Sequence, residues 1–298
     1  MVVAATGFFD GVHKGHKKVL SQLCRVAEGE GKKSAVITFW PHPRNVLQQD
    51  ACNLRLLNSL DEKERLIREI GVDEFITIPF SREFSKLSTR EFLEDYLKGR
   101  YNVSTLIIGY DHRLGNNTCQ SQNEMIEIAK SVGINVVRVD EFIIDDNIIS
   151  STVIRKLLAS GDVAGANGFL GYQYELEGVV VSGQRLGRTI GFPTANMKLY
   201  NPLKAVPGNG VYAVWAEVFG KRYMGMCNIG TRPTVAEGNE RTIETYILDF
   251  NEDIYGLDLK IKFVDKIRDE VKFTSLEMLK GQLEKDRNST FQLLKAGQ

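Results

Sequence analysis

The stretch Gly7-Phe8-Phe9-Asp10-Gly11-Val12-His13-Lys14-Gly15-His16 decides how the chain is read. It follows a short strand-like run, 2–5, and opens an amphipathic segment near 14–28. In an open α/β sheet, ligands bind at the carboxyl end of a strand, where the next helix begins. A helix N-terminus offers unpaired N–H groups and a positive dipole end, which suit phosphate. His13 and His16 are three apart and project from neighbouring positions of the first turn. Imidazole N–H groups there can donate to phosphoryl oxygens as charge builds in a transition state. Gly15 lets a phosphate approach the backbone. Two surface histidines beside a glycine turn would be the bland alternative. Only four histidines occur in the chain, however, and two of them fall here in a strand–turn–helix context.

Outward from this loop, strand-like runs recur at 34–39, 74–78, 104–109 and 134–139. Amphipathic segments lie between them near 60–70, 89–98 and 121–132. Three of these open on a capping box: Ser59/Glu62, Ser88/Glu91 and Ser121/Glu124. Strand–helix alternation at this spacing predicts a parallel sheet covered by helices. A further helix, 151–160, starts at Ser150 and Ser151. The glycine-rich segment Gly161 to Gly171 reads as a linker or a loose connection. Beyond it, strands at 174–182, 210–219, 222–229, 241–249 and 258–267 follow one another without helices, which predicts an antiparallel barrel or sandwich. A helix over 275–295, capped by Thr274 and Glu277, closes the chain.

The 298 residues carry 38 basic and 38 acidic side chains. Residues 1–170 hold 21 basic and 22 acidic, so neither half is a basic arm for nucleic acid. Apolar runs fall well short of the ~20 residues a membrane helix needs. The N-terminus lacks the basic region of a signal peptide and begins abruptly as a strand, so a few upstream residues are expected to be missing. Cys24, Cys52, Cys119 and Cys227 form no C-x-x-C pair and read as reduced thiols of a cytoplasmic protein.

Residues 178–196 hold a second cluster, Gly-Val-Val-Val-Ser-Gly-Gln-Arg-Leu-Gly-Arg-Thr-Ile-Gly-Phe-Pro-Thr-Ala-Asn. A glycine loop of this kind can fold over phosphates, although it is no Walker A loop, and glycine content alone favours a turn-rich β-hairpin loop. Thr194 and Asn196 would face one side of a strand and could share a Mg²⁺. Glu244 lies in an alternating strand and could take the proton of an attacking hydroxyl, or be a surface glutamate. Ser151 and Thr152 at a helix N-terminus, with Arg155 one turn on, make an anion site.

The first stretch resembles the H-x-G-H nucleotidylyltransferase superfamily. In its extended form it looks like the adenylyltransferase module of prokaryotic bifunctional riboflavin kinase/FAD synthetases. The likeness continues through Thr38-Phe39-Trp40-Pro41-His42-Pro43, Phe80 to Ser88 and on to Phe92, Gly109 to Gly115, and Ile149-Ser150-Ser151-Thr152-Val153-Ile154-Arg155. His112 stands where the fourth of these motifs often has Phe. Gly187-Arg188 through Gly191-Phe192-Pro193-Thr194-Ala195-Asn196 is similar to the flavokinase motif. Segments 210–213, 228–234, 244–250, 253–256 and 267–273 support it.

The resemblance implies an α/β protein in two parts. A Rossmann-like nucleotidylyltransferase domain with a parallel sheet spans 1–165. An antiparallel β-barrel flavokinase domain with a closing helix spans 172–298. It implies ATP-dependent phosphorylation of riboflavin to FMN in the second domain, releasing ADP. In the first, FMN is adenylylated to FAD with release of pyrophosphate. His13, His16 and Glu244 are then catalytic. Gly7, Phe8, Asp10, Gly15, His42, Asp111, Ser151, Thr152, Arg155, Gly187, Arg188, Gly191, Thr194, Asn196 and Arg268 bind substrate or nucleotide. Mg²⁺ would sit at Thr194 and Asn196. No nucleic-acid or membrane partner is expected, and the chain is expected to be a monomer or weak homo-oligomer. Alternatives are an H-x-G-H transferase for another phosphorylated substrate, a class I aminoacyl-tRNA synthetase relative, a riboflavin kinase with an inactive first domain, and a flavin-binding regulator.

Overall fold

The computed structural model describes residues 1–47, 54–110, 112–116, 121–140, 143–144, 147–183, 186–233 and 239–296. The chain divides into two compact units, Met1–Ser151 and Thr152–Gln298.

In the first unit, β1 (Val2–Thr6), β2 (Lys33–Trp40), β3 (Glu74–Pro79), β4 (Val103–Ile108) and β5 (Asn135–Arg138) form one parallel sheet in the order β3-β2-β1-β4-β5. Val3, Ala4 and Ala5, with Ala35, Val36 and Ile37, are all wholly buried. Such unbroken apolar runs belong to strands covered on both faces. Helix α1 (Lys14–Gly29) packs against β1, β2 and β4 and buries Leu20, Leu23 and Ala27. Next come α2 (Pro43–Leu47) and α3 (Leu60–Glu69). Helix α4 (Thr89–Glu91) runs straight on as a π-helix over Phe92–Arg100, and α5 (Gln122–Ser131) follows. Phe92, Leu93, Leu97, Met125 and Ala129 pack with Ala4, Leu106 and Ile108. All three expected capping boxes are present. The strand order reverses between β1 and β4, so the carboxyl end of β1 lies at the switch point where α/β sheets open a crevice. A two-stranded hairpin, β6 (Ile143–Ile144) with β7 (Asn147–Ile148), went unanticipated.

The second unit opens at the second residue of α6 (Ser151–Ser160), and α7 (Val163–Leu170) follows. Helix α7 corrects the expectation of a linker over 161–171. The Asp162 side chain accepts the Gly165 N–H as N-cap, and Gly171 ends the helix in the left-handed region. Val163, Ala166 and Leu170 are buried. Glycine content suggested a loose segment, but these three apolar residues share one helical face and dock it.

A closed antiparallel barrel follows. Its strands are β8 (Glu175–Val181), β9 (Ala195–Leu199), β10 (Gly210–Val218), β11 (Lys221–Pro233), β12 (Asn239–Ile247) and β13 (Asp258–Arg268), in the order β10-β11-β12-β9-β8-β13. The structure thus decides for a barrel over a sandwich. Its sixth strand, β9, lay unread inside the glycine-rich segment, after the short α8 (Leu186–Thr189). Helix α9 (Leu276–Ala296) packs on β10, β11 and β13, with Leu294 against Ala213 and Trp215. This cover explains why β10 is buried on both faces. The α9 cap is Ser275, whose Oγ accepts the Met278 N–H at 3.2 Å, in place of the expected Thr274 and Glu277.

Candidate functional sites

The loop joining β1 to α1 is held in an unusual backbone. Phe9 and Val12 have φ of 50° and 37°, and Gly11 has φ of 86°. A β-branched residue at positive φ costs on the order of 1–3 kcal/mol and persists only where its surroundings dictate it. Val12 is wholly buried, which supplies that constraint. His13 is the N-cap of α1: its Nδ1 accepts the His16 N–H at 3.3 Å. With Nδ1 as acceptor, a neutral His13 carries its proton on Nε2. The His13 and His16 rings stack at 3.6 Å between centroids, 17° from parallel. Gly15 faces them, and a Cβ there would come within 3.2 Å of His13 Nδ1. Burial lowers the His13 pKa to about 4. Burial first, then the neighbouring His13 and Lys63, hold His16 well below the ordinary imidazole value.

The residues around this pair come from four places in the sequence. Phe8 meets the His42 ring edge-on at 3.9 Å, and His42 Nδ1 accepts the Arg44 N–H at the start of α2. The buried Asp10 carboxylate accepts the N–H groups of Leu57 and Asn58, at 2.9 and 3.3 Å, and so pins that segment beneath the loop. Ser151 Oγ donates to the Asp10 carbonyl at 2.8 Å, tying the I-S-S-T segment to the same loop. His112 Nε2 lies 3.0 Å from Thr6 Oγ1, at the end of β1. Gly7, Phe8, Asp10, His13, Gly15, His16, His42 and Ser151 therefore form one neighbourhood. Thr152 and Arg155 continue along α6 in the second unit. Asp111 lies outside the described residues.

In the barrel, Gly187, Thr194, Asn196, Glu244 and Arg268 line a single cavity of about 290 Å³ together with Phe192, Asn228, Tyr246 and Phe273. Strand alternation builds it. On β12, Glu244 and Tyr246 face this cavity, while Thr245 and Ile247 face a neighbouring one of about 220 Å³. Thr194 borders both. Its hydroxyl lies 3.4 Å from a Glu244 carboxylate oxygen, and Asn196 is the register partner of Glu244 between β9 and β12. Gly187 has no room for a side chain, since a Cβ would collide with the Phe192 carbonyl oxygen. Gly191 has φ of 85°. The Arg188 side chain lies outside the described part.

Arg268 reaches the same cavity with its guanidinium already engaged. It forks onto Asp286 of α9 with contacts of 2.8 to 3.0 Å, and Asp286 is 1% exposed. Gln282 donates to the same carboxylate at 2.8 Å. Asp286 was not anticipated, nor was Lys63, which is buried beside Phe8. Each stands in a charged helical run that reads as a solvated face, and only packing reveals them.

Family models match both units: one described as FAD synthetase over residues 1–153, the other as riboflavin kinase over 170–294. The bifunctional riboflavin kinase/FMN adenylyltransferase of Bacillus subtilis strain 168 is 39% identical over 290 residues, covering 96% of this chain and 90% of its own. The protein of the same name from Escherichia coli K12 is 37% identical over 287 residues, covering 95% and 90%. A crystal structure from Streptococcus pneumoniae, titled a macrolide-efflux protein, matches with a TM-score of 0.90 and 32% identity, over 97% of this chain and 93% of that one. That title names transport; among the described residues here, no helix is long and apolar enough to cross a membrane.

Proposed function

The chain belongs to the bifunctional riboflavin kinase/FMN adenylyltransferases, and from that premise we propose how its residues divide the two reactions. It phosphorylates riboflavin to FMN with ATP and adenylylates FMN to FAD. The observation that carries the assignment of kinase residues is the convergence of Glu244, Thr194 and Asn196 on one cavity.

In the kinase, Glu244 accepts the proton of the riboflavin hydroxyl as that oxygen attacks the γ-phosphoryl group of ATP. The hydroxyl oxygen forms the new O–P bond, and ADP leaves. Two cavities meeting at Thr194 suit a transfer between two bound substrates, which needs them side by side with reacting atoms aligned. The Thr194 hydroxyl, the Asn196 amide oxygen and the Glu244 carboxylate are hard oxygen donors, the kind Mg²⁺ takes alongside phosphate oxygens and water. Thr194 and Asn196 would hold it, and it would neutralise charge on the phosphoryl oxygens. Gly187, Arg188 and Gly191 supply the phosphate-facing loop, and Arg268 borders the flavin.

In the adenylyltransferase, the FMN phosphate is itself the nucleophile. Its oxygen attacks the α-phosphorus of ATP, and pyrophosphate leaves without a covalent enzyme intermediate. His13 and His16 donate to the phosphoryl oxygens, and Ser151, Thr152 and Arg155 are a further anion-binding set. Gly7, Phe8, Asp10, Gly15 and His42 shape the pocket, and the resemblance adds Asp111 to the nucleotide-binding set. Cysteines without a C-x-x-C pair support a cytoplasmic setting and balanced charge supports a chain that binds no nucleic acid, as a monomer or weak homo-oligomer in our reading.

Incubating the pure protein with riboflavin, ATP and Mg²⁺ and separating the flavins tests the whole scheme. FMN followed by FAD is expected. FMN alone would make the first unit inactive, and neither product would overturn the reading.

A further inference from the structure

Lys63 stands in the run Asp61-Glu62-Lys63-Glu64-Arg65 on α3. The next two residues behave as surface charges, Glu64 pairing with Arg68 and Arg65 with Glu69, and the buried Glu62 is spent on the Ser59 cap. Lys63 instead is 1% exposed, and its Nζ makes no hydrogen bond among the described residues. That Nζ lies 3.6 Å from the centre of the Phe8 ring. A cation over a ring face is attracted to it, but by less than the hydration an ammonium loses on burial. Asp10 is the nearby carboxylate whose charge favours the protonated amine, yet its Oδ1 already accepts two backbone N–H groups. A buried cation without a hydrogen-bond acceptor suits a site whose anion arrives with the substrate.

The surroundings point the same way. His16, close enough to feel the Lys63 charge, also has a buried Nδ1 without a hydrogen-bond partner. His13 is buried and His16 is partly buried with a buried Nδ1, and their stacked rings make a geometry that opposes two imidazolium charges. With His13 titrating at about 4 and His16 held low, the pair offers N–H donors but no net charge at neutral pH. Burial brings Lys63 down to about 8, which leaves it mostly protonated there. Adenylyl transfer moves negative charge onto phosphoryl oxygens, and stabilising it calls for fixed positive charge nearby.

We propose that Lys63 is the buried cation of the adenylyl-transfer site, acting from its place against the Phe8 ring on a phosphoryl group held at His13 and His16. The inference rests on reading this loop as that site. The phosphoryl group belongs either to ATP or to FMN, which share the chemistry.

The test uses full-length Lys63→Met and Lys63→Arg proteins, with His16→Ala alongside. For Lys63→Met, FAD formation from supplied FMN should fall about 10- to 100-fold, somewhat less than the loss of a direct transition-state donor. FMN formation from riboflavin should be unchanged. The unfolding midpoint of the first unit should hold or rise, because an apolar chain of similar size replaces a buried ion that has no hydrogen-bond acceptor. Lys63→Arg should restore part of the rate. A selective fall in kcat/KM for ATP assigns the contact to the nucleotide, and one for FMN assigns it to the flavin phosphate. Unchanged FAD formation in Lys63→Met would overturn the inference. So would a lowered midpoint or failure to fold, since either marks a structural lysine. If His16→Ala also kept full FAD formation, the reading of the loop itself would fall; if only His16→Ala lost it, the inference on Lys63 alone would.

Discussion

The two sites are built by opposite means. In the first unit the candidate side chains sit on a strained loop and a helix N-terminus at the switch point of a parallel sheet. A strand buried on both faces has no free side chain to offer, so chemistry moves to the connections. In the second, the side chains stand on the strands themselves, because a closed barrel turns alternate residues toward one cavity. The first candidate site holds a buried His13 and a partly buried His16, both pushed below the ordinary imidazole pKa chiefly by burial, and the second holds half-buried oxygen donors.

The sharpest break between the two is expected at Glu244. Glu244→Gln keeps the shape and removes the base, and kinase turnover should fall by about 10²–10⁴. Adenylylation of supplied FMN should persist. Retained FMN synthesis would demote Glu244 to a bystander.

His16→Ala is the converse. Losing one donor to the transition state should slow FAD formation by about 10²–10³ and leave FMN formation intact. Equal slowing of both reactions would mean that the division into two sites is wrong.

Arg268 and Asp286 ask whether the barrel site depends on α9. Removing one partner of a buried ion pair typically costs about 3–5 kcal/mol, because the other charge is stranded. Asp286→Ala should lower the unfolding midpoint of the second unit and weaken the kinase, with FAD formation from supplied FMN preserved. An unchanged midpoint would show that the fork holds nothing in place.

The smallest effect is expected from pH. His13 titrates at about 4 when folded and near 6.5 when unfolded. Between those values the unfolded state binds the extra proton, so stability is full above pH 6.5 and is lost as pH falls toward 4. The loss approaches about 3 kcal/mol at the acid end. Denaturant unfolding followed by Trp40 in a Trp215→Phe background reports on the first unit. His13→Gln should flatten that slope, and an equally steep slope in the variant would assign the effect to other groups.

Both halves of the fold were legible where periodicity was strong. The five parallel strands and the capping boxes at Ser59, Ser88 and Ser121 appear where the pattern puts them. The segment 161–171 and strand β9 did not, because glycines mask a helix or strand whose stability comes from docking. Motif order likewise brought Thr194, Asn196 and Glu244 under suspicion, yet only strand register sets the first and last 3.4 Å apart.

The sequence by itself determined the alternation of elements, the loop from Gly7 to His16 and the residue types that two phosphoryl chemistries need, because local periodicity and caps are properties of neighbours along the chain. Tertiary structure decided which charges are buried. Lys63 and Asp286 look like the charged residues around them in the sequence, and only the Phe8 ring and the Arg268 guanidinium packed against them set them apart. Burial depends on contacts between residues far apart in sequence, and a lysine or aspartate carries no local mark of the partner that will cover it.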